Sequence, residues 1–272
     1  MIWLNGQILP PGAARIDPRD RGFTLGDGVF ETMAARDGHP IRLGDHLERL
    51  GRAAKLLDIP LPVEASELPA AIAAVLAAND LTTGMAALRL TLSRGVGSRG
   101  LLMPLDPKPT LVIIAAAHPP VPDHLDAAIV AVRRNEGSPL SRIKSLNYLD
   151  NVLAQQEAQA RGADEGLMLN NAGHLAGFAR GNLFLLKGRH LLTPPLVDGV
   201  LDGIVRHVFL VRAGEIGLDP GEASLQRADL ETADAVFITN SLLGCVAIRR
   251  LDGHDLAQAP ETVAGLLSLL KS

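Results

Sequence analysis

The sequence predicts an α+β protein of two domains, and three observations carry that prediction. Strand-like runs cluster within each half of the chain instead of alternating strictly with helices, which disfavours a doubly wound parallel sheet. His118-Pro119-Pro120-Val121-Pro122-Asp123-His124 sets three prolines in four positions, a stretch that continues neither strand nor helix. At 272 residues and 47% hydrophobic content, the chain can bury one large core or two smaller ones. The expected division is a small N-terminal domain over residues 1–118, a linker at 119–124, and a larger C-terminal α+β domain over 125–272.

The elements follow in order. Asn5-Gly6 between two short apolar runs is a hairpin signal. Residues 29–36 read as a strand, turned by Asp37-Gly38 into a second short strand at Ile41-Arg42. An amphipathic helix follows, with Asp45 as its expected N-cap and Leu47, Leu50, Ala54 and Leu57 at helical spacing. A second, alanine-rich helix covers about 66–78, and strands are expected at 86–93 and 111–117 around a loop at 94–109. Beyond the linker come a strand at 127–134, a helix at 145–160, and strands near 165–169, 174–177 and 183–186. A helix over 203–213, strands at 235–239 and 246–250, and a C-terminal helix complete the chain.

Composition excludes several classes. A formal net charge of −4 gives no reason to expect nucleic acid or an anionic membrane as partner. The single cysteine, Cys245, has no internal disulfide partner, which makes a reducing compartment the default. The N-terminal residues lack the charged-then-apolar pattern of a signal peptide, and apolar runs such as 111–117 are too short to span a bilayer. The expectation is a cytoplasmic protein. No G-x-G-x-x-G follows a strand and no Walker lysine is present, so nucleotide binding has no support.

Chemistry concentrates at one lysine. The chain holds five lysines against twenty-one arginines, and Lys144 lies between a strand-like and a helix-like run. Burial at such a place lowers an amine's pKa, so Lys144 suits a Schiff-base role as nucleophile and proton carrier. Residues 199–206 enter a helix through small residues, and the free N–H groups of Ile204 and Val205 suit an anion such as a phosphate. Thr239, Asn240 and Ser241 offer polar groups at a strand end. Arg49 projects from the first helix as a candidate phosphate ligand, against the alternative of an i,i+4 pair with Asp45. Arg94 and Arg99 sit in the glycine-rich loop Arg94-Gly95-Val96-Gly97-Ser98-Arg99-Gly100, where guanidinium groups can hold carboxylates.

Six segments occur in order: Asp20-Arg21-Gly22, Gly26-Asp27-Gly28-Val29-Phe30-Glu31-Thr32, His46-Leu47-Glu48-Arg49-Leu50, Ile143-Lys144-Ser145-Leu146-Asn147, Asn182-Leu183-Phe184 and Thr193-Pro194-Pro195-Leu196. Together they resemble the class IV (fold type IV) pyridoxal-phosphate enzymes, which include branched-chain and D-amino-acid aminotransferases and 4-amino-4-deoxychorismate lyases. The resemblance covers nearly the whole chain. It implies a two-domain α+β homodimer resembling D-amino-acid aminotransferase, with pyridoxal 5'-phosphate as cofactor. It also implies Lys144 as the Schiff-base lysine, and Arg49, Ile204, Val205 and Ser241 at the phosphate with Thr239 and Asn240 beside them. Phe30, Arg94 and Arg99 fall on the substrate, and Thr32 beside the catalytic lysine.

The run at 93–100 is similar to a lyase pattern, S-R-G-x-G-x-R-G. The leading expectation is therefore release of pyruvate and 4-aminobenzoate from 4-amino-4-deoxychorismate, a step of folate biosynthesis. The alternative is an aminotransferase for branched-chain or D-amino acids. Leu101 replaces the histidine expected of D-amino-acid aminotransferases, which argues against that subtype. Gly177 stands where the family carries a glutamate, five residues before Asn182, that keeps the cofactor's ring nitrogen protonated. A cofactor-binding homologue with weakened catalysis is thus a further alternative.

Overall fold

The computed structural model describes residues 1–271. Their contacts divide the chain into two compact units. The first holds Met1–Pro120 together with Lys144–Asn147, and the second holds Val121–Ile143 and the residues from Tyr148 onward. The lysine segment, expected in the C-terminal domain, thus packs with the first unit.

The first unit is built on a six-stranded sheet. Its elements are β1 (Ile2–Leu4), β2 (Gln7–Leu9), α1 (Arg21–Leu25), β3 (Gly28–Arg36), β4 (His39–Pro40), α2 (Leu43–Leu56), α3 (Leu68–Ala78), β5 (Met85–Ser93) and β6 (Thr110–Ala117). The strands run in the order β2-β1-β6-β5-β3-β4, every pairing antiparallel. Asn5 and Gly6 both take positive φ, as a two-residue hairpin turn requires. In α3, Leu68, Ile72, Val75 and Leu76 form the buried stripe of an otherwise alanine-rich helix. One sheet face, with Met33, Leu88, Leu90 and Ile113, is fully buried, and α2 and α3 pack on the sheet. Each such side chain contributes about 1.5–3 kcal/mol by leaving water.

Three local expectations are corrected. The second short strand is His39–Pro40, not Ile41-Arg42. The N-cap of α2 is Arg42 in the left-handed conformation, while Asp45 lies inside the first turn, 3.6 Å from the Arg42 guanidinium. The helix expected from Ser145 begins at Leu149. Residues 144–146 instead lie against the free edge of β3 through a single antiparallel bridge of Ser145 to Val29, with Phe30 N–H donating to Lys144 O at 2.8 Å and Leu146 N–H to Gly28 O at 2.9 Å.

The second unit carries a nine-stranded mixed sheet: β7 (His124–Arg134), β8 (Glu165–Asn170), β9 (Leu175–Phe178), β10 (Asn182–Lys187), β11 (His190–Thr193), β12 (Asp219–Glu222), β13 (Ala235–Asn240), β14 (Gly244–Leu251) and β15 (His254–Asp255). Its helices are α4 (Leu149–Ala160), α5 (Ile204–Arg212), α6 (Arg227–Glu231) and α7 (Pro260–Ser268). The sheet runs β12-β11-β10-β13-β14-β7-β8-β9, and β15 pairs with β14. One core face gathers Leu167, Leu183, Ile238 and Ile248. The other gathers Phe184, Phe209, Phe237 and Leu266, with Phe184 and Phe209 edge to face at 5.6 Å.

Candidate active site

In the first unit, strand alternation decides which side chains meet Lys144. Phe30 and Thr32 point to one face of β3 and Glu31 to the other. Edge pairing of 144–146 puts Lys144 on the Phe30 face, with its Nζ 4.2 Å from the centre of the Phe30 ring. The guanidinium of Arg89, on the neighbouring strand β5, lies 3.8 Å from the same centre. Both being measured to one centroid, the two cations lie within about 8 Å of each other. Thr32 is half-buried and is the register partner of Arg89. An amine, a guanidinium and an aromatic ring thus share one face, where cations held over a ring are favoured. Lys144, Phe30 and Thr32 are candidates from the sequence; Arg89 is not, and its visible signal is an arginine in the middle of an apolar strand.

The opposite face of β3 holds a buried charge cluster. Glu31, 1% exposed, accepts from Arg49 Nε and Nη2 at 2.7 Å each, and lies 2.8 Å from His46 Nδ1. Burial alone would raise the Glu31 carboxyl, but the bonds from Arg49 and His46 outweigh it and hold the group below its ordinary range. The first acid partner of Arg49 is therefore Glu31, not Asp45. A charged residue inside an otherwise apolar strand was the signal for Glu31; His46, one turn before Arg49, carried none by itself.

Arg94 is corrected outright. Its guanidinium is 3% exposed, pairs with both oxygens of Asp27 at 2.8 and 3.1 Å, and donates to the carbonyls of Leu57 and Asp58. A guanidinium so spent is in no position to clamp a substrate carboxylate. Arg99, by contrast, is exposed and makes no ion pair among the described residues.

In the second unit, the entrance of α5 offers amide donors. Its N-cap is Gly203, which has no side chain to cap it, and the first helical bond runs from His207 N–H to Gly203 O. The amides of Ile204 and Val205 therefore lie ahead of the helical ladder, at the positive end of the dipole. A Cβ on Gly203 would fall 2.0 Å from Asn182 Oδ1, so only glycine allows this close approach. Asn182 donates to Leu201 O at 2.9 Å and is the register partner of Thr239. Thr239 is 1% exposed, and its Oγ1 is buried without a hydrogen-bond partner. A hydroxyl costs about 1–3 kcal/mol in that condition, so the site is built for a polar group to arrive. Asn240 is corrected: its Oδ1 accepts from the amides of Leu242 and Leu243, and its Nδ2 donates to Arg180 O. It shapes the turn that presents Ser241, which is half-buried.

Uncapped amides, a glycine cradle and an orphaned hydroxyl fit a phosphate ester. Thr239→Val is expected to leave the cofactor-free protein as stable or about 1 kcal/mol more stable, because an unpaired hydroxyl is removed. It is expected to weaken pyridoxal-phosphate affinity severalfold; thermal melts with and without cofactor check both.

The amino-transferase class IV family model matches residues 28–251, most of the chain. This protein belongs to the class IV family. The class IV enzyme is 37% identical, over 93% of its length and 88% of the relative's, to a Methanocaldococcus jannaschii protein provisionally named a branched-chain-amino-acid aminotransferase. It is 33% identical over its whole length, and 94% of the relative's, to an aminodeoxychorismate lyase of Bacillus subtilis. Among solved structures, a branched-chain aminotransferase from Thermoproteus uzoniensis superposes with a TM-score of 0.92 at 29% identity, over 99% of this chain and 93% of that one. A hypothetical aminotransferase from Mycobacterium tuberculosis in a PLP-bound form gives 0.87 at 25% identity, over 100% and 97%. The class IV enzyme therefore has the type IV fold and uses pyridoxal phosphate.

At the position of the family's missing acid, β9 departs from regular pairing. Met168 pairs with Gly177 but Leu169 with Leu175, leaving Ala176 as an extra residue, and Gly177 takes φ +136°. A Cβ there would lie 3.2 Å from Gly181 O. Arg180 does not substitute, since it is bound to Glu165 at 2.6 Å and is half exposed. Gly177→Ala is expected to cost about 1–3 kcal/mol of backbone strain, a fall of several degrees in Tm. Restoring a glutamate here carries the same strain. Among the described residues no group of acidic, histidine or cysteine side chains could hold a metal ion, and no helix is long and apolar enough to cross a membrane.

Proposed function

We propose that this enzyme converts 4-amino-4-deoxychorismate to 4-aminobenzoate and pyruvate. The observation that carries the reading is the Phe30 face, where an amine and a guanidinium share one aromatic ring. Such a face suits a flat, carboxylate-bearing substrate whose amine must reach Lys144. The likeness to aminodeoxychorismate lyase over the whole chain supports it.

On this reading the amides of Ile204 and Val205 and the hydroxyls of Thr239 and Ser241 hold the cofactor's phosphate. Bound pyridoxal phosphate supplies covalent attachment for the substrate nitrogen and withdraws electrons from the carbon that loses a proton. Arg89 holds a substrate carboxylate, and Phe30 supports the ring from one side. Lys144 takes the proton from the amine-bearing carbon. The enolpyruvyl C–O bond breaks as the ring becomes aromatic, and the leaving methylene carbon regains one proton to give pyruvate. Protons balance, and no water is consumed. Aromatisation drives the step, which fits a site with glycine in place of the ring-nitrogen acid.

The second reading is a branched-chain aminotransferase, favoured by 37% identity to the archaeal relative. Incubation of cofactor-loaded protein with 4-amino-4-deoxychorismate separates the two. Equimolar pyruvate and 4-aminobenzoate, with the cofactor remaining in its aldehyde form, is the expected result. Conversion of the cofactor to its amine form by L-leucine, without lyase turnover, would establish the aminotransferase. Protein that takes up cofactor yet turns over no amine would be a binding homologue.

A further inference from the structure

We propose that Asp27, Arg21 and Arg94 form a positioning cluster that sets substrate affinity by locking loop 94–109 to the segment carrying Lys144. The inference deepens the proposed function and rests on it for the substrate.

The loop joins two directly paired strands, since Ser93 faces Thr110 in the register. A hairpin there needs only a few residues; one this long is uncommon in a compact unit unless it has a task. Its tip does not fold on its own side chains: Leu101 is 78% and Leu102 84% exposed. Order comes from beneath, through the backbone. Arg21, 3% exposed, donates from Nη1 to Gly100 O at 3.0 Å and Leu102 O at 3.3 Å, and from Nε to Asp27 at 2.8 Å. Arg94 grips the same carboxylate from the loop base. Asp20 accepts from both Ser93 Oγ and Thr110 Oγ1, closing the neck of the loop. A Cβ on Gly97 would fall 2.6 Å from Arg21 Cδ, so the loop lies directly on this side chain.

The same short helix holds the lysine segment. Asp20 caps α1 at Gly22 N, and Gly26 ends it in the left-handed conformation. Asn147 Nδ2 donates to Gly26 O at 2.9 Å, and Leu146 N to Gly28 O. A Cβ on Gly28 would meet Leu146 Cδ1 at 2.7 Å. Through α1, the strand edge bearing Lys144 and the base of loop 94–109 therefore form one block. A loop freed from this block must be ordered again each time substrate binds, so its fastening governs affinity without touching substrate.

Arg21→Met tests the idea, because it leaves Asp27 paired with Arg94 and frees only the loop. KM for 4-amino-4-deoxychorismate is expected to rise about 10- to 100-fold, with kcat within about twofold of wild type. Cofactor affinity and borohydride labelling of Lys144 should be unchanged, and amide exchange should quicken over residues 95–103. Gly97→Ala, which retains every charge, should raise KM in the same direction. Unchanged KM in both variants despite faster exchange would overturn the proposal, as would a loss of kcat and labelling at constant KM. A wild type that is labelled but has no lyase turnover defeats the lyase reading alone. The KM comparison then moves to L-leucine with 2-oxoglutarate, and equal values there, or a wild type inert to every amine, overturn the cluster's role.

Discussion

Lys144→Ala is expected to lower turnover by about 10³-fold or more and to abolish covalent retention of the cofactor after borohydride treatment. The amine is held over the Phe30 ring, and its segment is fixed to β3 by one bond to Lys144 O and one from Leu146 N–H. No other lysine lies in residues 121–186, and Lys187 donates to Thr232 at the exposed end of β10. Phosphate binding by the uncapped amides of α5 should survive, since those donors are backbone. The variant should therefore bind pyridoxal phosphate reversibly, in a form removed by dialysis, with an unchanged melting temperature in its absence. Mass mapping of wild-type peptides should place the reduced pyridoxyl group on position 144. An adduct elsewhere, or a variant retaining more than a tenth of wild-type turnover, would remove Lys144 from the chemistry.

Arg89→Leu is expected to reduce kcat/KM by about 30- to 1000-fold, the effect of about 2–4 kcal/mol when one partner of a desolvated charge pair is removed. Arg89 projects from a strand between β3 and β6, so the change leaves sheet pairing intact and adds apolar surface next to Phe30. The loss should appear mainly in KM for carboxylate-bearing substrates. Arg89→Lys should recover only part of it, because an ammonium cannot make the two-pronged bond of a guanidinium. Arg94→Lys should instead lower the melting temperature, because the Arg94 guanidinium joins Asp27 to two carbonyls inside the fold. A normal KM in Arg89→Leu would return the carboxylate role to Arg99, which is exposed.

Most elements were legible because their signals are local. The Asn5-Gly6 turn, the stripe of α3 and the glycine entrance to α5 follow from backbone geometry and side-chain period. The sequence puts the helix after Lys144 four residues early, since residues 145–148 carry nothing that distinguishes a strand edge from a first helical turn. Arg94 reads as a ligand-facing guanidinium for a similar reason. A guanidinium beside glycines looks the same in sequence whether it meets a ligand or a half-buried Asp27 sixty-seven positions away.

The sequence by itself determined the family and the cofactor, because six ordered motifs and helical or strand period are properties of neighbouring residues. Tertiary structure alone decided that the Arg89 guanidinium shares the Phe30 ring with Lys144, and that Glu31 and Asp27 pair with other arginines. Those assignments depend on strand register, where a shift of one residue moves every side chain to the opposite face, and register is fixed by pairing between distant segments.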